Sequence, residues 1–309
     1  MKRALLAAGL VTLAAFAAAV AALASAGEFS AWSSATRVES IPGTDPSFNG
    51  PALDGCPFVS RDGKRFYMAS NRVTGGYGGI DIWVASRDSV DDPWGAPVNV
   101  GPPVNSAAND FCPTIGRDGH EFYFVSNRAG GCGGDDIYTT RLRPDGWDPV
   151  ENVGCAEDGG PNSGANEASP FPLPERASGP VLYFSSTRSG NNDLYESVSH
   201  GGVFGEAAPI AELNTGAQDG QPNLRRDGLE IFFFSSRAGN NDIYSATRPS
   251  VFAPWSTPVN LGPGVNSPAS ETRPSLSWDG TTLYFGSTRP GGDGDSDHYV
   301  TTRERLNGN

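Results

Sequence analysis

Five carboxylates recur in one sequence pattern, and their spacing is the strongest sign of chemistry in the chain. Each follows an Asn after four residues and precedes a Pro by three positions. We call them the five leading acids: Asp54, Asp110, Glu167, Asp219 and Glu271. Two carboxylates about 5 to 10 Å apart can hydrolyse a glycosidic bond, and a ring of five attracts a cation or a basic partner. Alternatively, each acid caps backbone groups or pairs with an arginine of its own repeat.

The recurrence itself favours the structural alternative, because every repeat needs a brace whereas a reaction needs only one or two special groups. The position directly before each Pro behaves differently, since its residue changes from copy to copy. Its occupants are Cys56, Cys112, Ser169, Gln221 and Arg273. Arg273 is the one charged member and lies beside Glu271, so we include it with the leading acids as a candidate for ligand or partner binding.

Three further carboxylates, Asp293, Asp295 and Asp297, alternate along one glycine-rich stretch. Calcium is bound by oxygen ligands at such a spacing, which makes the stretch a candidate calcium site. It is not an EF-hand loop, because His298 stands where that loop requires Gly. We predict no other cofactor or metal.

Other motifs of catalysis are missing from the sequence. It has no His-Glu-x-x-His, Gly-x-Ser-x-Gly or Cys-x-x-Cys pattern, so neither zinc chemistry nor a nucleophile elbow is indicated. Its glycine-rich loops do not connect a strand to a helix as phosphate-binding loops do. We therefore assign no catalytic residue, and a binding protein is favoured over an enzyme.

A repeat of 52 to 57 residues positions these groups. Its copies begin at Pro57, Pro113, Pro170, Pro222 and Pro274, a spacing close to that of four-stranded propeller blades. Four copies contain an Asp-Gly hairpin signal, and all contain an apolar run, an arginine, a polar loop and a second strand. The third copy replaces Asp-Gly with a longer segment. The pattern predicts an all-β fold, a β-propeller formed by residues 27–309.

The number of blades depends on the two ends of the chain. Each of the first four units closes with an aromatic residue and an extended segment, as after Trp94, whereas the fifth stops without one. We expect Trp32 and the residues after it to supply the missing strand, so that four whole units and one divided unit form five blades. Closing the ring in this way hides the sheet edges.

An arginine and an aspartate flank the polar loop of every copy. The pairs are Arg72 with Asp81, Arg128 with Asp136, Arg188 with Asp193, Arg237 with Asp242, and Arg289 with Asp297. Their closeness in sequence predicts an ion pair across the loop, serving as a structural device.

The N-terminus and the four cysteines suggest export. Residues 1–26 have a basic start, an apolar core and an Ala-x-Ala end, which predicts a cleaved signal peptide, with an uncleaved anchor as the alternative. An even number of cysteines in an exported chain favours two disulfides. The predicted pairs are Cys132 with Cys155 and Cys56 with Cys112. We expect a periplasmic or secreted protein with no stable membrane insertion after cleavage.

The net charge of the full chain is -13. This excess of acid argues against nucleic acid or an anionic lipid surface as a partner, because both repel a negatively charged protein.

The units from Pro57 to Asp81, and from Pro274 to Arg289, resemble the WD-repeat-like propeller repeat of the TolB family. The resemblance implies a periplasmic or secreted binding or scaffold role. TolB propellers have six blades, so six is the alternative blade count. The TolB family also carries an α/β domain before its propeller, for which this chain has too few residues ahead of Pro57.

We therefore expect an exported, non-enzymatic propeller that binds a protein, peptide or glycan of the bacterial cell envelope. The alternative is a glycan-active enzyme that uses acids at the central channel.

Overall fold

The structure is a computed structural model that describes residues 28–176 and 179–306. The predicted signal peptide, residues 1–26, lies outside the described residues. No helix among the described residues is long and apolar enough to cross a membrane. Two short 3-10 helices are present in the described ranges, at Val38–Ser40 and Ala156–Asp158.

Alternating apolar runs and tight turns form the strands of the described chain. In chain order they are β1 (Thr36–Arg37), β2 (Asp54–Val59), β3 (Arg65–Ser70), β4 (Asp81–Ser86), β5 (Val98–Asn99), β6 (Asp110–Ile115), β7 (Glu121–Ser126), β8 (Asp136–Arg143), β9 (Gly146–Trp147), β10 (Glu151–Asn152), β11 (Glu167–Arg176), β12 (Gly179–Ser186), β13 (Asp193–His200), β14 (Val203–Phe204), β15 (Ala208–Pro209), β16 (Asp219–Leu224), β17 (Glu230–Ser235), β18 (Asp242–Thr247), β19 (Val259–Asn260), β20 (Glu271–Leu276), β21 (Thr282–Ser287) and β22 (Asp297–Thr302).

The strands of the described ranges form five antiparallel sheets. Strands β2–β5 form blade 1, β6–β10 blade 2, β11–β15 blade 3, β16–β19 blade 4, and β20–β22 with β1 form blade 5. The first strands of neighbouring blades contact one another around the whole ring, β2 with β6, β6 with β11, β11 with β16, β16 with β20, and β20 with β2. The fold is the predicted five-bladed β-propeller, and the six-bladed alternative is wrong.

The second strand of each blade is buried on both faces, which explains its unbroken apolar sequence. In β3, all residues from Phe66 to Ser70 are buried. Phe66 of blade 1 packs edge to face against Tyr284 of blade 5, with ring centroids 5.2 Å apart. The hydrophobic core of the protein thus lies between the blades, where each sheet covers its neighbours.

The ring closes through the N-terminal strand, as predicted. Strand β1 pairs with β22, with Thr36 opposite Val300. It begins four residues after Trp32, as β5 begins four residues after Trp94. Arg303 lies over the Trp32 ring at 4.5 Å, as Arg87 lies over Trp94 at 4.0 Å. The N-terminal segment therefore occupies the place of an outer strand in blade 5.

Blade 3 differs from the other blades in the hairpin between its first two strands, where the sequence has a longer segment in place of Asp-Gly. The hairpin there is an extension of the sheet, because β11 and β12 pair as far as Arg176 and Gly179. The prolines of Phe171–Pro174 are tolerated because β11 is the innermost strand and pairs on one side only.

Candidate functional site

The five leading acids are completely buried, and each pairs with the arginine at the end of the second strand of its own blade. The nitrogen-to-oxygen distances are 2.7 Å for Arg72–Asp54, 2.7 Å for Arg128–Asp110, 3.0 Å for Arg188–Glu167, 2.7 Å for Arg237–Asp219 and 3.1 Å for Arg289–Glu271. Because burying a charge without a partner is costly, these pairs are required by the fold wherever the acids are present.

Each leading acid also fixes the connection into its blade. Asp110 accepts hydrogen bonds from the backbone N–H and the hydroxyl of Ser106. The neighbouring Asn105 binds Ile82 of the previous blade through both its side-chain oxygen and its side-chain nitrogen. The same Asn clamp joins every neighbouring pair of blades, through Asn49, Asn105, Asn162, Asn214 and Asn266. The repeated motif therefore braces the junction between blades.

This geometry corrects the predicted ion pairs across the polar loops. Arg72 pairs with Asp54 and not with Asp81. In the other four blades too, the arginine pairs with the leading acid and not with the loop aspartate. Asp81 instead accepts the backbone N–H groups of Tyr77 and Gly78. The prediction failed because the fully buried leading acid has the greater need for a counter-charge, while the loop aspartate is satisfied by its own loop.

The leading acids line neither the central channel nor its wider mouth among the described residues. Their proposed role in ligand binding stays a prediction with no contact to support it. Arg273, the sixth candidate, does line the channel.

The channel is lined by the position whose residue varies between copies. A β-bulge in each first strand gives this residue a left-handed backbone, with φ between +49° and +58°. The five residues are Cys56, Cys112, Ser169, Gln221 and Arg273. Such angles are uncommon outside Gly and are maintained only by the surrounding structure. Here the bulge lies at the same point in all five blades.

Both predicted disulfides are present. Cys56 and Cys112 are joined across the channel-lining position of blades 1 and 2. Cys132 and Cys155 are joined within blade 2, between the polar loop and the connection that follows the sheet.

Opposite the leading acids, at the end of the channel where the first strands finish, a depression of about 330 Å³ opens to solvent. We call it the mouth site. Its floor is apolar and includes Val59, Leu224 and Leu276, the last residues of three first strands. Phe58 lines both the mouth site and the channel, so the two are continuous.

The rim of the mouth site is cationic and aromatic. It carries Arg61, Arg117 and Arg226 from blades 1, 2 and 4 and Trp278 from blade 5. The three arginines are exposed and form no ion pair with another described side chain. Trp278 is half-buried, and the guanidinium of Arg61 lies 5.0 Å from its ring centroid. An anionic group with an adjoining flat apolar face fits such a rim.

The carboxylates near the rim are parts of turns. Asp62 accepts hydrogen bonds from the Ser60 hydroxyl and the Lys64 N–H. Partial burial raises the pKa of Asp62, but these hydrogen bonds outweigh it, so the net pKa is lowered. The pKa of Asp118 is lowered for the same reason, with Arg141 contributing. Neither acid has the raised pKa that a general acid in glycoside hydrolysis requires.

Sequence reasoning missed the mouth site. Arg61, Arg117, Arg226 and Trp278 each directly precede the Asp of an Asp-Gly turn. A comparison of the residue before Asp-Gly in each copy identifies these four residues as one cluster. The reason is that a propeller brings equivalent positions of its blades together around one axis.

The predicted calcium ligands are not brought together. Asp293 contacts Arg37, and Asp297 accepts the backbone N–H of Asp293. Within residues 28–176 and 179–306, no group of three or more His, Cys, Asp or Glu residues is arranged to hold a metal ion. The calcium hypothesis for Asp293, Asp295 and Asp297 gains no support from this arrangement.

A buried histidine lies between blades 5 and 1, where its ring packs against Phe66. His298 holds the position that Ile82, Ile137, Leu194 and Ile243 hold in the other blades, directly after the loop aspartate. It is fully buried, and its Nδ1 lies 3.0 Å from the side-chain oxygen of Asn49. Burial lowers the pKa of His298 to about 4.

We expect His298 to make stability depend on pH. Between pH 6.5 and 4, the unfolded chain binds a proton at this residue and the native protein does not, so stability falls as the pH falls. The expected loss between pH 7 and pH 5 is about 2 kcal/mol. Chemical denaturation at both pH values measures it. His298→Ile, which restores the residue of the other blades, should remove about that much of the pH dependence; an unchanged dependence would contradict the prediction.

The fold and the mouth site together define a five-bladed β-propeller with a cationic depression over its channel. No family model matches the sequence, and the search of curated proteins found no match. Similar solved structures include an α-L-arabinofuranosidase from Podospora anserina in complex with cellotriose, at 12% identity and a TM-score of 0.57, covering 90% of this chain and 98% of that one. An α-L-arabinofuranosidase from Lactobacillus brevis has 11% identity and a TM-score of 0.57, with coverages of 87% and 94%. A putative TolB from Agrobacterium tumefaciens has 16% identity and a TM-score of 0.51, with coverages of 90% and 99%.

At identities this low, these likenesses show the fold alone. They include a TolB propeller, as the repeat suggested, and also glycoside hydrolases with the same architecture.

Proposed function

We propose that the protein binds an acidic oligosaccharide, a glycan that carries carboxylate groups, at the mouth site. The observation that carries the proposal is the convergence of Arg61, Arg117 and Arg226 on one apolar depression, without an ion pair to another described side chain. Arginine is well suited to this task because its planar guanidinium donates two parallel hydrogen bonds to a carboxylate.

The remaining features of the mouth site suit a sugar ring. Trp278 offers a flat apolar surface beside the arginines, as the apolar face of a pyranose requires. The volume of about 330 Å³ falls at the lower end of the range for small-ligand sites. The chain as a whole is acidic and repels anions. The cationic rim therefore makes the mouth site a place where an anionic ligand is attracted.

The structural neighbours support a glycan more than a protein or peptide partner, since several of them are glycoside hydrolases. They also make glycoside hydrolysis the second candidate function. Binding without cleavage is the better match to the rim, because Asp62 and Asp118 have lowered pKa values and serve the turns. We further propose that the protein acts outside the cytoplasm, and the two disulfides support this location.

Calorimetric titration with an oligogalacturonate and with a neutral oligosaccharide of equal length tests the proposal. We expect binding of the acidic ligand only, with affinity falling as salt is added. Arg117→Gln and Arg226→Gln should each weaken it about tenfold, since each removes a charge-assisted hydrogen bond. Trp278→Ala should weaken it by a similar factor through lost stacking.

Arg143→Gln is the matched control, because Arg143 is an exposed cation of blade 2 that pairs with Asp148 away from the mouth site. It should leave the affinity unchanged. Equal affinity for the neutral oligosaccharide, or full affinity in Trp278→Ala, would overturn the proposal. Release of reducing ends during the titration would favour the hydrolase instead.

A further inference from the structure

Arg273 is the charged residue of the channel-lining ring, and it lacks a counter-charge. Its side chain forms no ion pair and no hydrogen bond with any other described residue. Its Nε is buried without a partner. Burial lowers the pKa of the guanidinium, and no neighbouring carboxylate opposes this effect. Arginine nevertheless stays protonated in proteins, so a full positive charge lies inside the channel.

The nearest candidate partners are already committed. Asp54 lies beside Gly55, against which the Arg273 guanidinium packs, but Asp54 pairs with Arg72 at 2.7 Å. His298 is neutral at neutral pH because burial lowers its pKa to about 4. The Arg273 side chain is partly exposed, so its charge is not cut off from solvent, but its Nε is buried without a partner. An anion that enters the channel gains a charge-assisted hydrogen bond there with no competing carboxylate.

The space beside Arg273 limits the size of that anion. The channel void measures about 30 Å³, and about 10–15 Å³ on the same measure holds one water molecule, so a monatomic ion fits. The lining offers further donors. The Ser169 hydroxyl points at the disulfide sulfur of Cys112 at 3.3 Å, which is a weak acceptor, so it is able to turn toward an anion. None of the leading acids lines the void.

We propose that the central channel binds a small inorganic anion, such as chloride, on the guanidinium of Arg273. The site differs from the mouth site in position and in size, and it does not depend on the proposed glycan. It also makes the channel unsuitable for a metal cation, because Arg273 repels one.

Crystals of the wild-type protein grown in sodium bromide provide the direct test. We expect an anomalous peak for bromide within hydrogen-bond distance, about 3.5 Å, of the Arg273 guanidinium. In parallel, replacing gluconate by chloride at constant ionic strength should raise the melting temperature by about 2–4 °C and saturate, because gluconate is too large for the void.

Two variants isolate the site. Arg273→Gln introduces the residue that blade 4 already carries at Gln221 with the same φ of 58°, and it should abolish the chloride response. Arg226→Gln should keep the chloride response while its glycan affinity falls about tenfold, so the outcome for the channel does not depend on the outcome for the mouth site. A channel without bromide would overturn the inference, and so would a chloride response that persists in Arg273→Gln.

Discussion

Replacing Asp110 by Ala is expected to lower the free energy of unfolding by about 3–5 kcal/mol, which is a large part of the stability of an ordinary domain. The substitution leaves the Arg128 guanidinium without its partner and removes the acceptor of the Ser106 N–H and hydroxyl. Urea denaturation followed by tryptophan fluorescence measures the change.

Two control variants show whether stability is lost because the buried contacts of Asp110 are removed or only because one negative charge is removed. Asp110→Glu should keep most of the stability, because blades 3 and 5 use Glu167 and Glu271 at the same position with the same partners. Asp91→Ala removes an exposed acid and should change stability by no more than about 0.5 kcal/mol. A loss below about 1 kcal/mol in Asp110→Ala would show that the acid is not needed by the fold.

This prediction also affects how the leading acids are tested for catalysis. A variant such as Asp110→Asn breaks the ion pair with Arg128, so it can lose activity through lost stability whether or not the carboxylate acts on a substrate. Activity of these variants is therefore informative only alongside their stability.

Removing residues 28–41 is expected to produce an aggregated or unfolded protein. The deletion strips β1 from β22 and leaves that strand as an open edge. It also removes the fully buried Val38 and the contact of Trp32 with Phe232. Size-exclusion chromatography with light scattering and thermal melting measure the outcome.

A peptide of residues 28–41 supplied in trans should restore a monomeric, cooperatively melting protein, and a scrambled peptide of the same composition should not. A deletion variant that is monomeric and as stable as the parent would show that β1 is not what closes the ring.

The blade count and the ring closure were predictable because both follow from repetition. Each repeat ends in an aromatic residue followed four residues later by a short outer strand, and Trp32 shows the same spacing although it lies at the far end of the chain. The disulfide between Cys56 and Cys112 was predictable for the same reason, since equal positions of adjacent blades are neighbours.

The partners of the repeated arginines were not predictable from spacing. Asp81 is nine residues from Arg72 and Asp54 is eighteen residues from it, so closeness in sequence favours the wrong acid. Strand pairing decides the matter, because Asp54 lies opposite Ser70, two residues before Arg72, just ahead of the β-bulge in the first strand. The sequence does not indicate this bulge, because none of the five residues at the bulge position is Gly, the residue that a positive φ usually selects.

The mouth site was missed because its residues become neighbours only after the ring has closed. Arg61, Arg117 and Arg226 each look like an ordinary polar residue before a turn when their own copy is considered alone. The fivefold arrangement converts three distant positions into one cluster.

Blade 3 has one more consequence, which concerns symmetry. A perfect fivefold rim would offer a ligand five equivalent orientations, related by rotation about the axis. Seven residues after its leading acid, and at the same strand register, blade 3 has Pro174 where the other blades have an arginine or Trp278. Pro174 offers neither a charge nor an aromatic face, which removes the rotational degeneracy. A bound chain therefore has one preferred orientation across the depression, and its two ends become distinguishable.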